Sequence, residues 1–153
     1  MGRPPLDFAV ESQSIGPHPH VIIAPADHPL ASRRRIAKTD LAGHTFLVRE
    51  EGSGTRSLFE SFFGGIARGP KVDTEIGSNE TIKQAVIAGL GLSLISAHTI
   101  AAEVSSGRLV VLDVEGLPIV REWFTVHRTD RPLQTAAQAL WAFLVKEGNS
   151  FLP

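Results

Sequence analysis

Two short polar runs, each placed where an extended segment turns into a helical one, carry the residues best suited to hold a ligand. The first is Arg49-Glu50-Glu51-Gly52-Ser53-Gly54-Thr55-Arg56. Its glycines let the backbone approach a ligand closely, Ser53 and Thr55 offer hydroxyls, and Arg56 offers a planar cation able to grip two oxygens at once. The second is Gly77-Ser78-Asn79-Glu80, where Ser78 or Asn79 is expected to cap the following helix by accepting a hydrogen bond from a free N–H. A helix N-terminus presents unpaired N–H groups and a partial positive charge, so each run suits a small anion. One such run alone reads as a capped helix behind a loop. Two in one α/β lobe favour a ligand site.

Neither run is built for bond breaking. The first lacks the Gly-Lys-Ser/Thr ending of a phosphate P-loop, and Ser53 lacks the Gly-x-Ser-x-Gly frame of a nucleophile elbow. The dinucleotide pattern fails because Ser57 stands where its third glycine belongs. His18, His20 and His28 invite a metal reading, but no cysteine or carboxylate cluster completes a shell, and Pro19 suggests loop or edge. They are read as surface residues. Arg33-Arg34-Arg35 reads as a solvated charge run, Trp123, Trp141 and the phenylalanines as packing, and His98 and His127 as having no identifiable partner. The polar groups gather where a ligand is held, with no activated nucleophile among them, which predicts a protein that is not an enzyme.

These residues need strands and helices to position them. Lys71–Ile76 is a short extended run, Gly77 and Ser78 turn the chain, and Ile82, Ala85, Val86 and Gly89 form the stripe of an amphipathic helix. Gly89 and Gly91 end that helix, one of them in the left-handed conformation, and Leu92–Ile95 is the next strand. Such strand–helix–strand units build parallel sheets. Upstream, Phe8–Ser14 is weak strand or loop, Val21–Ala24 is a β-branched strand, Thr39–Gly43 a helical turn and Thr45–Arg49 a strand. Leu58, Phe59, Phe62 and Phe63 mark one apolar helix face. Downstream come a short helix over Ala97–Val104, strands at Leu109–Leu112 and Glu122–His127, and a final helix carrying Leu133, Ala137, Leu140, Trp141 and Leu144. The alternation predicts an open α/β sheet with helices on both faces.

Composition narrows the function classes. A chain of 153 residues makes one domain or two small lobes. Net charge −1 argues against this chain gripping nucleic acid unaided. It has no cysteine, hence no disulfide or thiolate metal site, and a mean hydropathy of +0.06 with no apolar run of membrane-spanning length. A cytoplasmic domain without membrane partners is expected.

Several stretches, in order, resemble the effector-binding domain of LysR-type transcriptional regulators. They are His28-Pro29-Leu30 with Leu41-Ala42-Gly43, Val48-Arg49-Glu50 with Gly52–Arg56, Ile82-Lys83 through Val86, Gly89-Leu90-Gly91-Leu92 with Ile95, and Gly107-Arg108-Leu109. The wording of Met1-Gly2-Arg3-Pro4-Pro5, Gly16–His20 and Ser78–Gln84 is similar to the branch that controls Calvin-cycle carbon-fixation (RuBisCO) operons. The resemblance implies a fold like the type 2 periplasmic binding proteins: two Rossmann-like lobes joined by crossing strands, here Val21–Ala24 and Glu122–His127. It places residues 1–40 and 121–153 in an incomplete lobe one and 41–120 in lobe two, with the DNA-binding region and the first units of lobe one missing. Ser53, Gly54, Thr55, Arg56, Gly77, Ser78, Asn79 and Glu80 would then line the lobe-two side of an effector cleft. It implies no cofactor beyond a small-molecule effector, a phosphorylated metabolite or NADPH. It also implies pairing into dimers or tetramers, and operator DNA contacted only through the missing N-terminal domain. A fragment of a solute-binding protein and a small serine hydrolase using Ser53 and Arg56 are the rival readings.

Overall fold

The computed structural model describes residues 2, 4, 5, 7 and 9–152. Met1, Arg3 and Phe8, which entered the sequence reading, lie outside the described residues. The contacts divide the chain into two units, residues 1–19 with 120–153, and residues 20–119. Residues 20–40, assigned from the sequence to the first lobe, therefore fall in the second unit.

That second unit holds the core. Its strands are the C-terminal part of β1 (Val10–Pro25), β2 (Thr45–Val48), β3 (Lys71–Glu75), β4 (Ser93–Ser96) and β5 (Leu109–Val111). β2 and β3 pair in parallel, in the register Phe46 to Val72 and Val48 to Glu75. Leu92 bridges in parallel to Phe46, and Leu47 N–H donates to the Leu92 carbonyl at 2.9 Å, so the segment leading into β4 continues this ladder. The expected crossover from β3 through helix α2 (Asn79–Ile87) to β4 is present. The parallel pairing expected of such a unit is made in this ladder, whereas β1 runs antiparallel to both β4 and β5.

Side chains alternate along each strand, and the alternation sorts them onto two faces. Ile22, Ala24, Phe46, Val48, Leu92 and Leu94 pack under helix α1 (Gly54–Phe63) through its Leu58, Phe59, Phe62 and Phe63. Val21, Ile23, Leu47 and Ile95 pack on the other side with Ile82 and Val86 of α2 and Ile100, which precedes the short helix α3 (Ala101–Ser105). Helices thus cover both faces, as the sequence pattern predicts. Gly91 is required by close approach: a Cβ there would lie 2.9 Å from the Thr45 carbonyl oxygen. Gly89 supplies the left-handed turn after α2, with φ +77.

In the other unit, β1 is far longer than the four residues expected, running through Pro17 and Pro19, and it pairs with β6 (Ile119–Arg128). Two readings are corrected here. His18 and His20 are buried in β1 rather than on the surface, and the His18 ring stacks on Trp123 with centroids 4.0 Å apart. His127 has partners, with Nε2 3.1 Å from a Glu11 carboxylate oxygen and its ring edge-on to Trp141. Every buried apolar side chain among the described residues lies between Val21 and Val114. Helix α4 (Thr135–Glu147) buries none, and Leu140 is 57% exposed. Leu140→Ala is therefore expected to change the unfolding free energy by less than about 0.5 kcal/mol, measured by urea denaturation.

Candidate functional site

Parallel pairing puts the carboxyl ends of β2 and β3 side by side, with Ile76 N–H donating to the Val48 carbonyl at 2.9 Å. α1 starts just beyond β2 and α2 just beyond β3. Both polar runs therefore open at one edge of one unit, where ligands sit in open α/β sheets. Ser53 has extended backbone angles and its Oγ accepts from the Thr55 N–H at 3.3 Å. Ser78 likewise accepts from the Thr81 N–H at 3.4 Å. The cap expected of Ser78 or Asn79 is made by Ser78, and Ser53, read from the sequence as a hydroxyl donor, caps α1 in the same way.

Asn79 has a different task. Its Oδ1 accepts from Arg49 Nη1 at 2.6 Å, which ties the start of α2 to the end of β2. Arg49 also donates from Nε and Nη2 to the two carboxylate oxygens of Glu50, each at 2.7 Å. Hydrogen bonding to Arg49 holds the Glu50 carboxyl below the usual carboxylate range, so it is ionised at neutral pH. Arg56, expected to face a ligand, turns along its own helix instead. Its Nε donates to Glu60 at 2.5 Å, and Nη1 lies 3.5 Å from the Arg49 carbonyl and 3.6 Å from Glu75. An (i, i+4) carboxylate is simply the nearest acceptor for an arginine one turn into a helix.

Glu80 is exposed and pairs with Lys83 Nζ at 2.8 Å. Gly54 and Gly77 are exposed, and Thr55 is half-buried, all on the same edge. The structure thus brings all eight predicted residues to one edge. Sequence reasoning missed Arg49, whose guanidinium joins the two runs. It also missed Lys83, buried on α2, whose Nζ reaches the Thr99 carbonyl at 2.9 Å and Glu103 at 3.0 Å. Arg49 stood at the head of the first polar run and within the Val48-Arg49-Glu50 motif, but neither gave it a role of its own.

A separate cavity of about 370 Å³ opens at the other end of β2, lined among others by Asp27, His28, His44, Thr45, Leu90 and Leu92. None of the eight predicted residues lines it. Burial, then the neighbouring His44, holds the His28 imidazole below its ordinary value against an opposing pull from Asp27.

Residues 1–149 match the family model described as LysR substrate binding domain. The chain is 58% identical over its whole length to an HTH-type transcriptional regulator CbbR of Xanthobacter flavus, covering 46% of that protein. It is 46% identical over 96% of its length to a RuBisCO operon transcriptional regulator of Allochromatium vinosum, covering 49% of it. The chain spans about half the length of the curated relatives it matches. Among solved structures, the regulatory domain of Synechocystis PCC6803 CcmR in complex with 2-PG superposes with a TM-score of 0.90 at 34% identity, covering 99% of this chain and 73% of that one. The relatives are transcriptional regulators, and the fold is that of LysR regulatory domains, like the type 2 periplasmic binding proteins. A parallel β2–β3 pair delivering two capped helices to one edge is thus set in a sequence that matches one family along almost its entire length, and the chain belongs to the LysR substrate-binding-domain family.

Proposed function

We propose that this chain is the effector-sensing part of a carbon-fixation regulator and that it receives a small phosphorylated metabolite at the joined starts of α1 and α2. One observation carries the reading: two helix N-termini, each with a serine cap, open at the carboxyl ends of adjacent parallel strands and are tied together by Arg49. N–H groups at both helix starts offer an anion a positively biased seat. The relative CcmR, whose regulatory domain is solved in complex with 2-PG, supports this ligand class.

The chemistry is binding without turnover. Both serine oxygens accept cap hydrogen bonds, and among the described residues neither hydroxyl is hydrogen-bonded to a base, so the geometry lends the hydrolase alternative no support. The ligand acts as a signal only if it binds one arrangement of the protein better than another. Contact with operator DNA, and the pairing of copies that positions it, fall to the longer protein. NADPH remains the second effector class, since its phosphates ask for the same N–H groups.

A thermal-shift panel of phosphoglycolate, sugar phosphates and NADPH tests the site. Saturation at one hundred times the dissociation constant is expected to add about 2.7 kcal/mol of stability. Thr55→Ala and Ser78→Ala are each expected to remove a large part of that shift. Ser78→Ala also costs about 1 kcal/mol before ligand is added, through loss of the cap. Equal ligand shifts in wild type and both variants would take these residues out of the site.

A further inference from the structure

Resting on that reading of the site, we propose that Glu50 is an internal competitor for the effector, its carboxylate occupying the Arg49 fork that an anionic ligand takes when it binds. The two bonds, Nε to Oε2 and Nη2 to Oε1, both 2.7 Å, form the parallel bidentate pair that a carboxylate or phosphate makes with arginine. The remaining Nη1 donates to Asn79, so the guanidinium plane is fixed from α2 while its fork faces Glu50.

The two partners are not equally held. The Arg49 side chain is 19% exposed and the Glu50 side chain 40%. Arginine is thus the fixed receptor and glutamate the outer, releasable partner, whose own side-chain rotation frees the fork without moving a strand or helix. The contrast with Arg56 is instructive: its carboxylate partners sit on α1 itself and at the end of β3, and neither forms a fork. An occupied fork also imposes selectivity. A neutral metabolite gains nothing by displacing Glu50, and a weakly held monoanion only exchanges one carboxylate for another. A phosphorylated acid, carrying more charge than the side chain it replaces, displaces it with net gain.

Titration calorimetry on the chain, with phosphoglycolate and inorganic phosphate as separate probes, tests this. Glu50→Gln removes the competing charge and is expected to tighten binding of both probes roughly fivefold, the factor set by losing a half-exposed ion pair. Arg49→Lys keeps the charge but not the fork, and is expected to weaken binding at least about tenfold. Glu50→Ala repeats the first test with no side chain able to return to the fork, and should tighten binding as much as Glu50→Gln. If Arg49→Lys fails to fold by circular dichroism, the two Glu50 variants decide alone. Binding in Glu50→Gln equal to or weaker than wild type overturns the competitor. Wild-type binding that persists unchanged in Arg49→Lys removes Arg49 as the receptor. If neither wild type nor Glu50→Gln binds either probe, the site itself fails, and the competitor with it.

Discussion

Lys83→Met is expected to destabilise the protein by about 3 kcal/mol, because it leaves Glu103 as a buried charge without its main partner. The two side chains are 6% and 8% exposed and meet at 3.0 Å, while the next cation, Arg108, stands 3.9 Å away. One Glu103 oxygen, Oε2, has no hydrogen-bond partner among the described residues, so the lost ammonium leaves the charge to the more distant Arg108. Burial pulls Lys83 down, but hydrogen bonds to Glu80 and Glu103 outweigh it and its pKa ends raised. Glu103 is lowered, chiefly by its hydrogen bond to Lys83. A depressed carboxyl stabilises the fold above its ordinary value of 4.5 and loses that contribution as pH falls through the depressed one. Urea denaturation should therefore show the gap between wild type and Lys83→Met narrowing as pH falls, first above about pH 4.5 as the orphaned, desolvated Glu103 takes up a proton and then below it as wild type loses its ion pair. Adding Glu103→Leu should restore much of the loss at pH 7, since two apolar side chains leave nothing unpaired. A cost below about 1 kcal/mol at pH 7 would mean that water reaches the pair.

Lys83 also marks where sequence stops informing. Its neighbours Ile82 and Val86 announce the buried stripe of α2 by spacing alone, and Leu58, Phe59, Phe62 and Phe63 do the same for α1. The caps were legible because serine before a periodic apolar run has one common use. A lysine beside the stripe carries no such mark; it is buried because Glu103, twenty residues later, comes to lie over it. The same holds for β1. Pro17 and Pro19 argue locally against a strand, and the extended segment persists through partners roughly a hundred residues away, such as the Ala9 carbonyl that accepts from the Thr129 N–H. At the site, residue types showed which groups gather but not how they are spent. Ser53, Ser78 and Arg56 read as ligand donors; in the structure the serine oxygens also accept the cap N–H groups, and Arg56 donates to Glu60. Arg49 became conspicuous only when the parallel register placed Asn79 within its reach.

Phe46→Ala is expected to cost about 3–5 kcal/mol, the range for emptying a fully packed aromatic site. Phe46 is 0% exposed, and its ring lies 5.3 Å from Phe59 and 5.4 Å from Phe63, so with Val48 it seats α1 on β2. Its backbone is bound on both sides, registered against Val72 of β3 and bridged to Leu92, so the strand cannot shift to fill the gap. For a unit of about 100 residues such a loss lowers the thermal midpoint by more than about 12 °C. Val72, its cross-strand partner, is 44% exposed, and Val72→Ala should stay within about 0.5 kcal/mol. The consequence for binding follows from position. α1 begins at the Ser53 cap, and a helix that rocks on an emptied seat presents its N–H groups less uniformly to an anion. Phosphoglycolate binding should therefore weaken in Phe46→Ala even at low temperature, where the variant remains folded, though no atom of Phe46 touches the site. Calorimetry at 10 °C on folded variant checks this, and affinity equal to wild type would show that β2 positions the site without α1.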